Sequence, residues 1–283
     1  MRGSLLDQDE SKQKLQAAVK AYQGKDLERA ETASNEILSA NPKEPNALHL
    51  LGCIYKDRGE VRQAIELIQA SIREDDSNPV PFLNLGKILS IVGQHENAAG
   101  AFQESLKRNK QIAETWFCFG NALRQLGKAG DAIQAYRNAL RLNPTHAGVA
   151  ANLGALLTDE GEWDAAEQIL RRALEQSPQN VQCLFNLANI LRIREKGEPE
   201  ELRDIVSTLL CMKKPDEQAL FSCLGRSLIF DWHHRRAMNL SWDFEIFASM
   251  VPLGSLVSVV DCVRQVTSQS YPSPFWREDI YEQ

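Results

Sequence analysis

Small residues recur along this chain at a single interval. Ala18, Gly52, Gly86, Gly120, Gly154 and Ala188 lie 34 positions apart. Ala30, Ala64, Ala98, Ala132 and Ala166 form a second column with the same period, and Gly59, Gly93, Gly127 and Gly161 a third. A looser fourth column holds Pro42, Asp76, Lys110, Pro144 and Pro178. A fixed period of this length restricts the fold to a stack of two-helix units. Within each copy, positions 4, 7, 8 and 11 share one helical face. They read Leu48, Leu51, Gly52 and Tyr55 in the second copy and Ala150, Leu153, Gly154 and Leu157 in the fifth. Ala166, Leu170 and Ala173 offer a matching face from the second helix.

A glycine inside a helix costs about 1 kcal/mol relative to alanine. Four of them at position 8 therefore cost roughly 4 kcal/mol of helix propensity. The expected return is close approach of two helix axes, with small residues at positions 8 and 20 giving the room. The glycines at position 15 fall between the helices, where a left-handed residue ends the first one and glycine adopts it without steric cost. Asn41-Pro42, Asn143-Pro144 and Ser177-Pro178 stop the second helices of their copies. No copy is expected to fold alone. Ordering each residue costs on the order of 1–2 kcal/mol, while each buried apolar side chain returns about 1.5–3 kcal/mol. Stacking neighbours closes that gap.

The fourth copy shows the pattern in full: Trp116, Phe119-Gly120, Leu123, Ala132, Tyr136, Ala139 and Pro144. This resembles the tetratricopeptide repeat, W-x2-L-G-x2-Y followed by A-x3-F and P. The resemblance implies an all-α fold, a right-handed superhelical α-solenoid of about six helix pairs with a C-terminal helical capping segment. Residues 1–10 are a lead-in. The array spans 11–212, with repeats near 11–44, 45–78, 79–112, 113–146, 147–180 and 181–212. In the sixth copy the corner glycine, Gly197, comes two positions late. Residues 213–283 are expected to hold capping helices and an extended tail, the helix of 217–230 covering the open end of the stack.

Composition narrows the function. With 43% hydrophobic and 25% charged residues and a net charge of −6, the chain reads as a soluble globular protein without the basic footprint of a nucleic-acid binder. No apolar run reaches the ~18 residues that span a membrane. The six cysteines form no C-x2-C pair, which suits reduced thiols in a cytoplasmic protein. No G-x4-G-K-[ST], G-x-S-x-G or H-E-x2-H motif occurs. The expectation is a protein without catalytic residues, cofactor or metal. Asp231, His233 and His234 are assigned to an amphipathic surface, because adjacent histidine side chains splay apart on a helix.

In tetratricopeptide arrays the binding groove is lined by positions 2, 5, 9 and 12 of each first helix, and periodicity puts those positions on a face of their own. Here copies four and six share F-x3-N-x2-R, as Phe117, Asn121 and Arg124, and Phe185, Asn189 and Arg192. Copy five between them carries Gly148, Ala151 and Ala155. This pattern describes a pocket with a low floor between two phenylalanine walls. Its asparagine amides suit a peptide backbone, and its arginines suit a carboxylate. The expected function is a protein–protein interaction scaffold whose groove takes an extended peptide or a partner helix, the partner segment carrying an acidic group.

Asp231-Trp232, just after "CLGRSLIF", resembles the join between array and catalytic region in O-linked N-acetylglucosamine transferases. Those enzymes also carry an asparagine ladder at position 6 of the groove, matched here by Asn84, Asn152 and Asn186 but replaced by Gln16, Leu50 and Cys118. Too few residues follow Trp232 for that family's catalytic domains. This resemblance implies, as an alternative, a truncated or detached targeting array of a glycosyltransferase-like enzyme. Self-association through the C-terminal tail is a further expectation.

Overall fold

The computed structural model describes residues 2–194 and residue 205. The capping segment, Gly197 and the tail expected over 213–283 lie outside the described residues. Met1–Ile190 forms one compact unit, and Leu191–Gln283 a second. All described elements are α-helices: α1 Arg2–Gln23, α2 Leu27–Ala40, α3 Pro45–Asp57, α4 Val61–Glu74, α5 Pro79–Ile91, α6 His95–Arg108, α7 Ala113–Gln125, α8 Ala129–Leu142, α9 Ala147–Asp159, α10 Trp163–Gln176 and α11 Val181–Arg194. From α3 onward every first helix starts 34 residues after the one before, and from α2 onward so does every second helix. The sequence period is thus reproduced in the elements. α1 begins at Arg2, so it takes in most of the stretch that precedes the first repeat.

Local chemistry sets these boundaries. Proline opens α3 and α5, where its missing N–H costs nothing. Side chains of Asp26, Glu44, Asn78, His146 and Asn180 accept backbone N–H groups of the first turn they precede. Second helices end on Asn41, Asp75, Asn109 and Asn143. The side-chain oxygen of each accepts a bond from two residues on, at 2.8–3.2 Å (Lys43 N, Ser77 N, Gln111 N and Thr145 Oγ1). These short polar turns reverse the chain, and they form a further 34-residue column beside the Asn-Pro pairs.

Gly59, Gly93, Gly127 and Gly161 have φ of +83, +77, +71 and +80. Around Gly59 the chain makes the paired bonds that close a helix on a left-handed residue, Gly59 N to Lys56 O at 3.0 Å and Glu60 N to Tyr55 O at 2.8 Å. The first hairpin makes the same bonds with Lys25 at φ +63 in the glycine's place. A left-handed L-residue costs about 1–2 kcal/mol. Lys25→Gly is therefore expected to stabilise the protein by about 1 kcal/mol, read as a higher urea midpoint at unchanged slope.

The position-8 glycines do admit close packing, and position 24 is what fills the space. A Cβ on Gly52 would stand 2.6 Å from Ile68 Cγ1, on Gly86 2.5 Å from Phe102 Cε1, on Gly120 2.6 Å from Tyr136 Cε1 and on Gly154 2.8 Å from Leu170. Ile68, Phe102, Tyr136 and Leu170 are all fully buried. The first hairpin has Ala18 at position 8 and, in compensation, Ser34 at position 24; both are fully buried. Expected room at position 20 is only part of the account: Ala30, Ala64, Ala98, Ala132 and Ala166 are fully buried, but the large side chain one turn further along seats against the glycine. Ser71 and Ser105 pin second helices to first ones, donating to Pro45 O at 2.7 Å and Pro79 O at 2.9 Å.

Candidate functional site: the face of the first helices

Adjacent hairpins are stitched across this face by polar bonds, one kind at each junction. Tyr22 OH donates to Asp57 Oδ2 at 2.6 Å between hairpins one and two. Asn84 Nδ2 donates to His49 Nε2 at 2.8 Å and lies 3.4 Å from Cys53 Sγ, between two and three. Lys87 pairs with Glu114 at 3.0 Å between three and four. Asn152 Nδ2 donates to Asn121 Oδ1 at 2.9 Å between four and five, and Asn186 Nδ2 to Ala151 O at 2.8 Å between five and six. The position-6 asparagines Asn84, Asn152 and Asn186 are thus used to join neighbours. Cys118, where the ladder breaks, has Glu114 as its neighbour at 3.7 Å. The Asp231-Trp232 join lies outside the described residues.

Phe117 is half-buried, its ring 6.3 Å from that of Tyr136 and 5.1 Å from that of His146. Beside it, Asn121 Oδ1 receives two bonds, from Asn152 and from the buried Tyr136 hydroxyl at 2.8 Å. The Asn121 amide, expected to meet a peptide backbone, is committed on its oxygen side to the fold. Arg124 is exposed. On the expected floor, Ala151 is fully buried, while Gly148 and Ala155 are half-buried. His146 partly covers Gly148, its Cε1 being 3.3 Å from where a Cβ would stand. Phe185 and Asn189 are half-buried, Asn186 is buried, and Asn189 has an interaction partner of its own. The side chain of Arg192 lies outside the described residues, as do Asp231, His233 and His234.

His49 and His146 belong to none of the repeat columns. The structure places His49 in a polar rung and makes His146 both the cap of α9 and a neighbour of Phe117. Burial lowers the His49 pKa to about 4, keeping the ring neutral so that Nε2 accepts the Asn84 bond. Burial likewise pushes the thiols of Cys53, Cys118 and Cys183 up to about 11, 12 and 11. All three are unpaired, and they are protonated at neutral pH rather than poised as nucleophiles.

Asn121→Ala would strip the buried Tyr136 hydroxyl of its acceptor. It is expected to destabilise the protein by about 1–3 kcal/mol, with Tyr136→Phe in the same chain restoring part of the loss. Denaturant titrations of both variants check this.

Comparison with known proteins bears on the fold. Among curated proteins none matches the chain. The P. aeruginosa protein in "Functional Characterization of Pseudomonas Aeruginosa pilF" has a similar structure: TM-score 0.63, 20% identity, 85% of this chain and 98% of that one covered. YrrB, titled "a TPR protein with an unusual peptide-binding site", gives TM-score 0.57 at 16% identity over 66% and 96% of the two chains. MamA gives 0.53 at 23% over 58% and 96%. At such identities the likeness is one of fold, and the fold is the tetratricopeptide array. Among the described residues no helix is long and apolar enough to cross a membrane. The family described as the cilia and flagella-associated protein 70 C-terminal domain matches residues 7–204. With more than half of its residues in that match, the chain belongs to this family.

Proposed function

We propose that this chain holds a segment of another protein along the face of its first helices and performs no chemistry of its own. The observation that carries the reading is the constellation at hairpins four and five: Phe117 half-buried between Tyr136 and His146, with exposed Arg124 two turns along the same helix face. An aromatic ring fixed by its neighbours offers apolar area at low entropic cost. A nearby guanidinium adds a forked donor for a carboxylate. The partner segment therefore carries an apolar residue followed closely by an acid. The elevated thiol pKa values and the committed polar groups support a binding rather than a reacting surface.

The test is affinity capture with the wild-type chain beside the Arg124→Glu, Arg192→Glu variant. The expected result is a discrete set of partners that the charge-reversed chain fails to retain while keeping wild-type helicity and melting temperature. Equal capture by both chains would overturn the assignment of the acid-binding role.

A further inference from the structure

We infer that His49 and Cys53, with Asn84 reaching over from the next hairpin, form a binding site for a soft monovalent metal ion of the copper(I) class. His49 and Cys53 stand one turn apart on α3. The other copies fill these two positions with apolar or amide side chains and, in one case, with Lys87, so the repeat itself does not call for a histidine and a thiol there. Nε2 and Sγ are 3.5 Å apart. For an ion about 2.0 Å from nitrogen and about 2.3 Å from sulfur, that separation corresponds to a bond angle of about 109°. An ion can therefore bridge the pair without moving either side chain. The Asn84 amide lies 2.8 Å from Nε2 and 3.4 Å from Sγ. Turned over about its terminal torsion, it presents Oδ1 in place of Nδ2 and adds a donor from α5.

Coordination number and charge select the ion. Among the described residues no three His, Cys, Asp or Glu side chains gather as a metal site, so the four-ligand cage that zinc prefers is not on offer. Copper(I) is stable at low coordination number, and thiolate and imidazole both suit it. Charge argues the same way. Lys56 is paired with Asp57 and Lys87 with Glu114, which leaves the surroundings near neutrality. Cys53 is only 6% exposed. Burial disfavours an imidazolium and a thiolate alike, which is why the His49 pKa is lowered and that of Cys53 raised. A monovalent ion that takes the place of the thiol proton leaves the charge of the site as it was. The S–H bond breaks, an S–metal bond forms, the proton leaves to solvent, and nothing is oxidised or reduced. A divalent ion would leave a buried positive charge.

The test uses the full, reduced chain under anaerobic conditions, with copper(I) supplied on a coloured chelator whose loss of absorbance reports transfer. The wild-type chain is expected to withdraw copper(I) and to release a proton for each ion at neutral pH. Affinity should fall at least tenfold in Cys53→Ser and in His49→Gln chains that retain wild-type helicity, and stay unchanged in Cys118→Ser. Copper(I) bound without proton release, or with undiminished affinity by Cys53→Ser, would overturn the site. An affinity lost in Cys53→Ser but kept in His49→Gln would reduce the site to a lone thiol and overturn the chelate. Zinc(II) held as tightly as copper(I) would overturn the assignment of a monovalent ion. A further measurement needs no variant: on binding, the imidazole nitrogen resonances of His49 should move while those of His146 stay in place. No movement at His49 would overturn the site.

Discussion

Gly120→Leu is expected to lower the stability of the protein by about 3 kcal/mol or more. The estimate sits at the upper end for overpacking of a core, because nothing at this site can yield. The nearest atoms to a Cβ there belong to the ring of Tyr136, at 2.6 and 2.7 Å, and that ring is fully buried with its hydroxyl tied to Asn121. Even Gly120→Ala should destabilise, against the gain of about 1 kcal/mol that helix propensity alone would give. Gly100 supplies the control. It too lies within a helix, but beyond its chain neighbours and its own helix backbone no atom stands within 4 Å of its Cβ position. Gly100→Ala should therefore stabilise by about 1 kcal/mol. Denaturant midpoints of opposite sign for the two alanine variants would establish that the position-8 column is steric. Equal gains would refute it.

Acidification is expected to weaken the fold through His49. Its pKa in the folded protein is about 4, below the ordinary value of 6.5. Between these values the unfolded chain binds a proton that the folded chain refuses, so stability is complete above pH 6.5 and declines as pH falls toward 4. A displacement of this size corresponds to about 3 kcal/mol. Protonation also removes the lone pair that accepts the Asn84 bond. His49→Gln, which keeps an acceptor and removes the titration, should flatten the decline between pH 6.5 and 4.5. A variant with the wild-type pH profile would exclude His49 as its source. Carboxylates whose pKa is lowered, such as Glu31 beside Arg58 and Asp57 beside Lys56 and Tyr22, lose their contribution at lower pH, since their ordinary values are 4.5 and 3.8.

Much of the fold is legible in the sequence because a repeat multiplies weak signals. One glycine in a helix says little, but Gly52, Gly86, Gly120 and Gly154 in phase, with Gly59, Gly93, Gly127 and Gly161 seven residues later, define both helices and the corner between them. The counterpart at position 24 is less visible. Ile68, Phe102, Tyr136 and Leu170 share volume rather than identity, and Ser34 breaks the column where Ala18 replaces glycine. The candidate site is less legible still, because its bonds run between copies. Asn121 looks free on its own helix; its oxygen is claimed by Tyr136, fifteen residues on, and by Asn152, thirty-one residues on. His49 has no periodic counterpart, so nothing in the pattern announces that Asn84 reaches it. Periodicity reports which way a side chain points, and the identity of what it meets depends on the neighbouring copy.

The junctions between hairpins also protect assembly against skipped units. Every hairpin offers nearly the same backbone to its successor, so a chain of this kind risks docking one unit onto the wrong one while it folds. The polar bonds differ from junction to junction. If the second hairpin met the fourth, His49 would face Cys118 and lose its amide donor. If the third met the fifth, Lys87 would face Gly148 and lose its anion. Each seam thus works as a keyed joint, and the order of the units is written in side chains although their shapes are interchangeable.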